Sequence, residues 1–140
     1  MKYFLFLISV YCAFSLDLAN LKIFPLKRGG EGTFSIENNK KFAFQLRSNP
    51  TTGYNWYVSN LEEVAKTNLV EFKNLDENGT GEYVANHVEK RIVGGNGNTY
   101  FILQSNESNQ GEVELKFVYK RVWMADENDQ TINVILKVGS

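Results

Sequence analysis

Thiols are nearly absent from this chain: Cys12 is its one cysteine. It lies in a segment read below as a leader, so the mature chain is expected to carry none. That excludes disulfides, thiolate metal sites and a cysteine nucleophile together. Histidine is as scarce. His87 stands alone, which excludes a multi-histidine metal site. A Ser-His-Asp triad would have to use it, yet Ala85-Asn86-His87-Val88-Glu89 has no nucleophile-elbow glycines. It reads as a solvated loop histidine. Excess charge of either sign is missing too: 15 Lys and Arg against 16 Asp and Glu give a net charge of −1. Nothing is left over to neutralise phosphates, so nucleic acid is not an expected partner. There is no internal repeat and no linker rich in Pro, Gly and Ser, and 140 residues fit one domain.

The longest apolar run opens the chain. Lys2 supplies a short positive region, and Tyr3 to Phe14 is almost continuously apolar, broken only by Ser9. The run is shorter than the roughly 20 helical residues that span a bilayer. Ala13 and Ser15 place small residues at −3 and −1 of a cut before Leu16. This is the pattern of a secretory signal peptide. Residues 1–15 are expected to be the leader and 16–140 the mature domain, with no membrane association after cleavage. The destination would be the outside, or lysosome- or phagosome-like vesicles. Asn78-Gly79-Thr80 and Asn106-Glu107-Ser108 are sequons, so Asn78 and Asn106 are candidate glycan acceptors.

What is abundant is strand pattern. Phe42, Phe44 and Leu46 alternate with Lys41, Ala43 and Gln45. Val113, Leu115, Phe117 and Tyr119 form a second alternating set, and Ile132, Val134, Leu136 and Val138 a third. Period-2 alternation marks half-buried antiparallel strands. Shorter strands are expected at 21–24, 33–36, 54–58, 69–73, 81–85 and 100–104, divided by turn residues such as Gly29-Gly30, Asn38-Asn39 and Asn78-Gly79. Residues 60–68 suit a short helix, with Asn60 as N-cap and Glu63 as its capping-box partner. Together these predict an immunoglobulin-like antiparallel β-sandwich of about eight strands, with Trp56 anchoring its core.

Catalytic and cofactor chemistry find little support. Asp126-Glu127-Asn128-Asp129 lacks the sharp-turn glycine of a calcium loop, since Thr131 stands in its place. Gly94-Gly95-Asn96-Gly97-Asn98 runs into a strand-like Tyr100-Phe101-Ile102-Leu103, not into the helix N-terminus that a phosphate loop needs. No metal, cofactor or enzymatic activity is expected.

One segment is unusual: Ser48-Asn49-Pro50-Thr51-Thr52-Gly53-Tyr54-Asn55-Trp56. Pro50 fixes φ, Gly53 permits positive φ, and the threonines between them are restricted at χ1. On these properties alone it is a stiff interstrand turn. Asn49-Pro50-Thr51-Thr52-Gly53, followed by an aromatic and then Trp56, nevertheless resembles the chagasin family of cysteine-peptidase inhibitors, in the manner of a protozoan member. Two further motifs follow in the family's order: Ile92-Val93-Gly94-Gly95-Asn96-Gly97, and Arg121-Val122-Trp123 after a long strand. The resemblance runs from about Asp17 to Val138.

The resemblance implies an eight-stranded immunoglobulin-like sandwich. It also implies reversible inhibition of papain-like, cathepsin-like peptidases by a monomer that wedges three loops into the active-site cleft. Asn49, Pro50, Thr51, Thr52 and Gly53 would sit over the catalytic residues. Ile92, Val93, Gly94 and Gly95 would flank one side, and Arg121 and Trp123 the other, within loops 92–98 and 119–126. Val122 departs from the family's usual proline and makes the third loop less preorganised. Asn96 replaces a commonly small residue. Arg121 and Trp123 are hot-spot residue types, although continued alternation of the 113–119 strand would turn both toward the core. Without the resemblance, a carbohydrate-binding or adhesion sandwich remains an alternative, favoured by a planar row of exposed aromatics.

Overall fold

A computed structural model of the chain describes residues 20–27, 31–85, 97–121, 123 and 129–139. The expected leader, His87, residues 92–96, Val122 and residues 124–128 lie outside the described residues. Nine strands are formed among those described: β1 Lys22–Leu26, β2 Gly32–Ile36, β3 Lys41–Ser48, β4 Asn55–Val58, β5 Val70–Phe72, β6 Glu82–Ala85, β7 Gly97–Ser105, β8 Gly111–Lys120 and β9 Gln130–Val138. One α-helix, α1, spans Leu61–Thr67.

The strands form two sheets. One has the order β1-β3-β7-β5, with β6 also paired to β7, and the other has the order β2-β9-β8-β4. The alternating apolar residues face each other across the gap. Phe42, Phe44, Leu46, Phe101, Leu103, Leu115, Phe117, Val134 and Leu136 are fully enclosed, and Trp56 is 1% exposed among them. Each such side chain stabilises the fold by about 1.5–3 kcal/mol relative to exposure. Phe44 and Phe101 both contact Phe117, at ring centroid distances of 5.7 and 4.8 Å, and so join the two sheets at their centre.

The sandwich agrees with expectation, with three corrections. The sheets are mixed: β1 pairs with β3, and β2 with β9, in parallel. Alternation names the buried face of a strand but not the direction of its neighbour. Second, β7 starts at Gly97, so Gly97 and Asn98 belong to the strand and not to the preceding loop. They pair with Ser48 and Arg47 on one side and with Ala85 and Val84 on the other. Glycine is required there because a Cβ on Gly97 would collide with the carbonyl oxygen of Val84 and lie 2.7 Å from the Tyr83 ring.

Third, Asn60 heads α1 but makes no side-chain cap. Its carboxamide donates to the Glu114 carbonyl (2.8 Å) and accepts from the Lys116 amide (3.0 Å). It thus continues the β8 ladder beyond the end of β4. Asn74 does the same in the other sheet, donating to Tyr100 O (2.8 Å) and accepting from Ile102 N (2.9 Å) between β5 and β6. A primary amide has the donor and acceptor of a peptide unit, so each asparagine satisfies a strand that would otherwise lose a partner.

Candidate functional site

Strand register gathers the three motifs. Ser48, the last residue of β3, faces Gly97, the first of β7. Ala85 at the end of β6 faces the same glycine. Asn55 at the start of β4 faces Lys120 at the end of β8, and Tyr119 faces Gln130 at the start of β9. The β3–β4, β6–β7 and β8–β9 connections are therefore all rooted at one end of the sandwich.

The first connection is a single 3-10 turn, Pro50–Thr52, closed by Gly53 at φ +85°. The positive φ expected of Gly53 is present, in the left-handed region that β-branched residues avoid. The turn satisfies itself. The Thr52 and Gly53 amides donate to the Asn49 and Pro50 carbonyls at 3.2 and 2.9 Å. The Thr52 hydroxyl donates to Asn49 O (2.8 Å), and the Thr51 hydroxyl to Asn49 Oδ1 (2.5 Å). Thr51 and Thr52 are exposed, and Asn49, Pro50 and Gly53 half-buried. With its polar groups engaged internally, the loop presents a shape fixed before any partner arrives.

Beneath the loop lies a stack that sequence reasoning did not foresee. The Arg121 guanidinium carbon is 4.7 Å from the centre of the Tyr54 ring. Tyr54 stacks on Tyr119 at 5.2 Å, and Tyr119 lies 4.9 Å from Trp56. Trp56 donates from Nε1 to Arg47 O (2.9 Å), and the Asn49 amide donates to the Tyr119 hydroxyl (3.2 Å). Among the described residues the buried Nε–H of Arg121 has no hydrogen-bond partner, and the guanidinium stacks on the Tyr54 ring. The roots of the first and second loops are bridged by Ser48 and Thr99, whose hydroxyls are 2.8 Å apart inside the sandwich. The only forewarning of the stack was the spacing of Tyr54 and Trp56 after the glycine. Tyr119 belongs to β8 and to the core, at 6% exposure, and not to the third loop.

Trp123 does not follow the strand alternation into the core. It is 68% exposed, and among the described residues it is the one large hydrophobic side chain so placed. An isolated tryptophan is not the planar row that a glycan platform uses. It suits an anchor that fills a pocket on a partner. Arg121 is half-buried beside it. Asn49 to Gly53, Arg121 and Trp123 thus lie together at the rooted end, while Ile92, Val93, Gly94 and Gly95 lie outside the described residues.

Comparison with known proteins finds relatives by family and by fold. Residues 35–138 match the family model described as chagasin family peptidase inhibitor I42. Amoebiasin-1 of Entamoeba histolytica is 28% identical over 106 residues, which cover 76% of this chain and 89% of that protein. The solution structure of Amebosin superposes with a TM-score of 0.55 at 28% identity, covering 84% of this chain and 97% of that one. The cysteine protease inhibitor EhICP2 of Entamoeba histolytica shares the fold at a TM-score of 0.57 and 21% identity, over 83% and 95% of the two chains. PbICP-C, solved in complex with falcipain-2, shares it at a TM-score of 0.54 and 14% identity, over 84% and 98%.

Proposed function

The chain belongs to the chagasin family of peptidase inhibitors, and on that premise we propose that it is a reversible, one-to-one inhibitor of papain-like, cathepsin-like cysteine peptidases. It is an inhibitor and not an enzyme. The observation that carries the reading is the pairing of a self-bonded Asn49–Gly53 turn with a 68% exposed Trp123 at one end of a rigid sandwich. A wedge of this kind gives up little conformational freedom on entering a cleft.

In this reading Asn49, Pro50, Thr51, Thr52 and Gly53 lie over the catalytic centre. Ile92, Val93, Gly94 and Gly95 contact one wall, and Arg121 and Trp123 the other. Inhibition is non-covalent in this reading, and the mature chain offers no thiol for a disulfide with the catalytic cysteine, since Cys12 is the one cysteine and falls in the proposed leader. Selectivity follows from cleft shape, so trypsin-like serine peptidases are spared. The complex of PbICP-C with falcipain-2 supports the choice of partner class.

The protein is further proposed to enter the secretory pathway by cleavage of residues 1–15 and to act as a monomer, outside the cell or in lysosome- or phagosome-like vesicles. On that route Asn78, exposed on the turn between β5 and β6, and Asn106, half-buried after β7, are the proposed glycan acceptors. The deciding experiment titrates papain with the purified mature domain, with trypsin as control. Stoichiometric loss of papain activity, restored on dilution, is expected. Papain left fully active by micromolar protein would overturn the proposal.

A further inference from the structure

An exposed tryptophan on a loop is a poor anchor unless something holds it before the partner arrives, because ordering a free side chain costs binding energy. The structure supplies a holder. A Cβ built on Gly53 would lie 2.6 Å from Trp123 Cη2, 3.0 Å from Cζ2, and 3.7 Å from Arg121 Cγ. The indole rests on the bare backbone of this residue, with the arginine stem beside it. We infer that Gly53 is the seat of Trp123, and that this contact makes Trp123 and the first loop a single preformed edge. The inference rests on the inhibitor reading above and assigns Gly53 a positioning role within it.

Gly53 therefore meets two separate demands. Its φ of +85° requires a residue tolerant of the left-handed region, and the indole requires the absence of a side chain. Asparagine separates the two. This chain already places Asn39 at φ +56° and Asn68 at φ +54°, so Gly53→Asn meets the backbone demand with modest strain. Its Cβ still occupies the space of the indole. The Arg121–Tyr54–Tyr119 stack holds Arg121, two residues before the indole.

In the free protein, the Gly53 Hα resonances should carry a ring-current shift and show NOEs to the Trp123 indole, and Trp123→Ala should remove both. Against papain, Gly53→Asn should weaken inhibition by roughly 30-fold or more, close to Trp123→Ala, while its thermal melt stays near wild type. The Gly53→Asn/Trp123→Ala double variant should be little worse than either single one, since both remove the same seated indole. Gly53 Hα resonances at ordinary shifts with no indole NOE would overturn the inference without any peptidase present. Wild-type affinity in Gly53→Asn, or additive losses in the double variant, would overturn it as well. Papain untouched by the wild-type domain would instead remove the inhibitor reading on which it rests.

Discussion

The two ends of the sandwich are closed by different means. At the end away from the wedge, short polar side chains stitch the backbone. Asn38 donates to the carbonyls of Asn106 and Asn109 at 3.0 and 2.8 Å. Ser105 accepts from the Lys40 amide (2.8 Å) and donates to Glu37 O (2.6 Å) while 2% exposed. At the wedge end, aromatic rings do this work: Tyr54, Tyr119 and Trp56 stack beneath the turn, and one indole is left at the surface. At the far end these hydrogen bonds tie one loop backbone to another. Rings stacked below a self-bonded turn stiffen that turn and leave its outer face available. On the proposed function, the division between stability and recognition is spatial, and single substitutions should separate them.

The largest effect is expected at the wedge tip. Trp123→Ala should cost about 2–4 kcal/mol in peptidase binding if the indole fills a pocket, a loss of about 30- to 1,000-fold, mostly through faster dissociation. Thermal unfolding should hardly change, because the side chain is 68% exposed in the free protein. Inhibition kinetics and a melt on the same sample check both halves. A large drop in melting temperature with unchanged inhibition would reverse the assignment of the two ends.

Ser105→Ala is the converse experiment. The hydroxyl is buried and serves the Lys40 amide and the Glu37 carbonyl at once. Leaving those groups unsatisfied should cost on the order of 1–3 kcal/mol of stability, or several degrees in Tm. Affinity for papain should stay at the wild-type value below the transition. Weaker inhibition from this distant change would mean that the far end sets the shape of the wedge.

Arg121→Ala should have an intermediate effect, about 1 kcal/mol in binding, from loss of its contact with Tyr54 and of a charge at the rim. Arg121→Lys should recover only part of that, because an ammonium lacks the flat face that stacks on the ring. Full recovery by lysine would show that charge alone matters at this position.

These contrasts also mark what was legible in the residues. The buried faces of β3, β8 and β9 could be read from alternation, because one-sided burial writes itself into a period of two. The parallel partners of β1 and β2 could not, because five-residue strands carry no record of who lies beside them. Gly97 and Asn98 were misread as loop because both are poor strand formers; the Tyr83 ring and the Val84 carbonyl overrode that preference. Asn60 is the N-cap residue as expected, but its side-chain bond was misread, because its amide can serve a helix end or a neighbouring strand and only the approach of β8 decides between them. The wedge loops were proposed through the family resemblance, since the turn residues alone fit any stiff connection. The stack under them depends on Tyr54 meeting Tyr119, 65 positions away in sequence, and no local pattern encodes that meeting.

The smallest effect is expected from Thr51, and its direction sharpens the account of the turn. Its hydroxyl donates to Asn49 Oδ1, whereas that of Thr52 donates to the Asn49 carbonyl across the whole turn. Both side chains are exposed, so water can replace either bond at modest cost. Thr51→Ala removes a methyl and a hydroxyl from the surface of the wedge and should weaken inhibition by about 1 kcal/mol or less. Thr51→Ser and Thr51→Val divide that loss. Serine keeps the bond that steadies Asn49, and valine keeps the shape presented to the cleft. If the hydroxyl acts only inside the turn, and the Pro50 ring and Gly53 already hold the backbone, valine should bind nearly as tightly as threonine and serine should lose most of the small difference. The opposite order, read from inhibition constants measured side by side, would place the hydroxyl in direct contact with the peptidase.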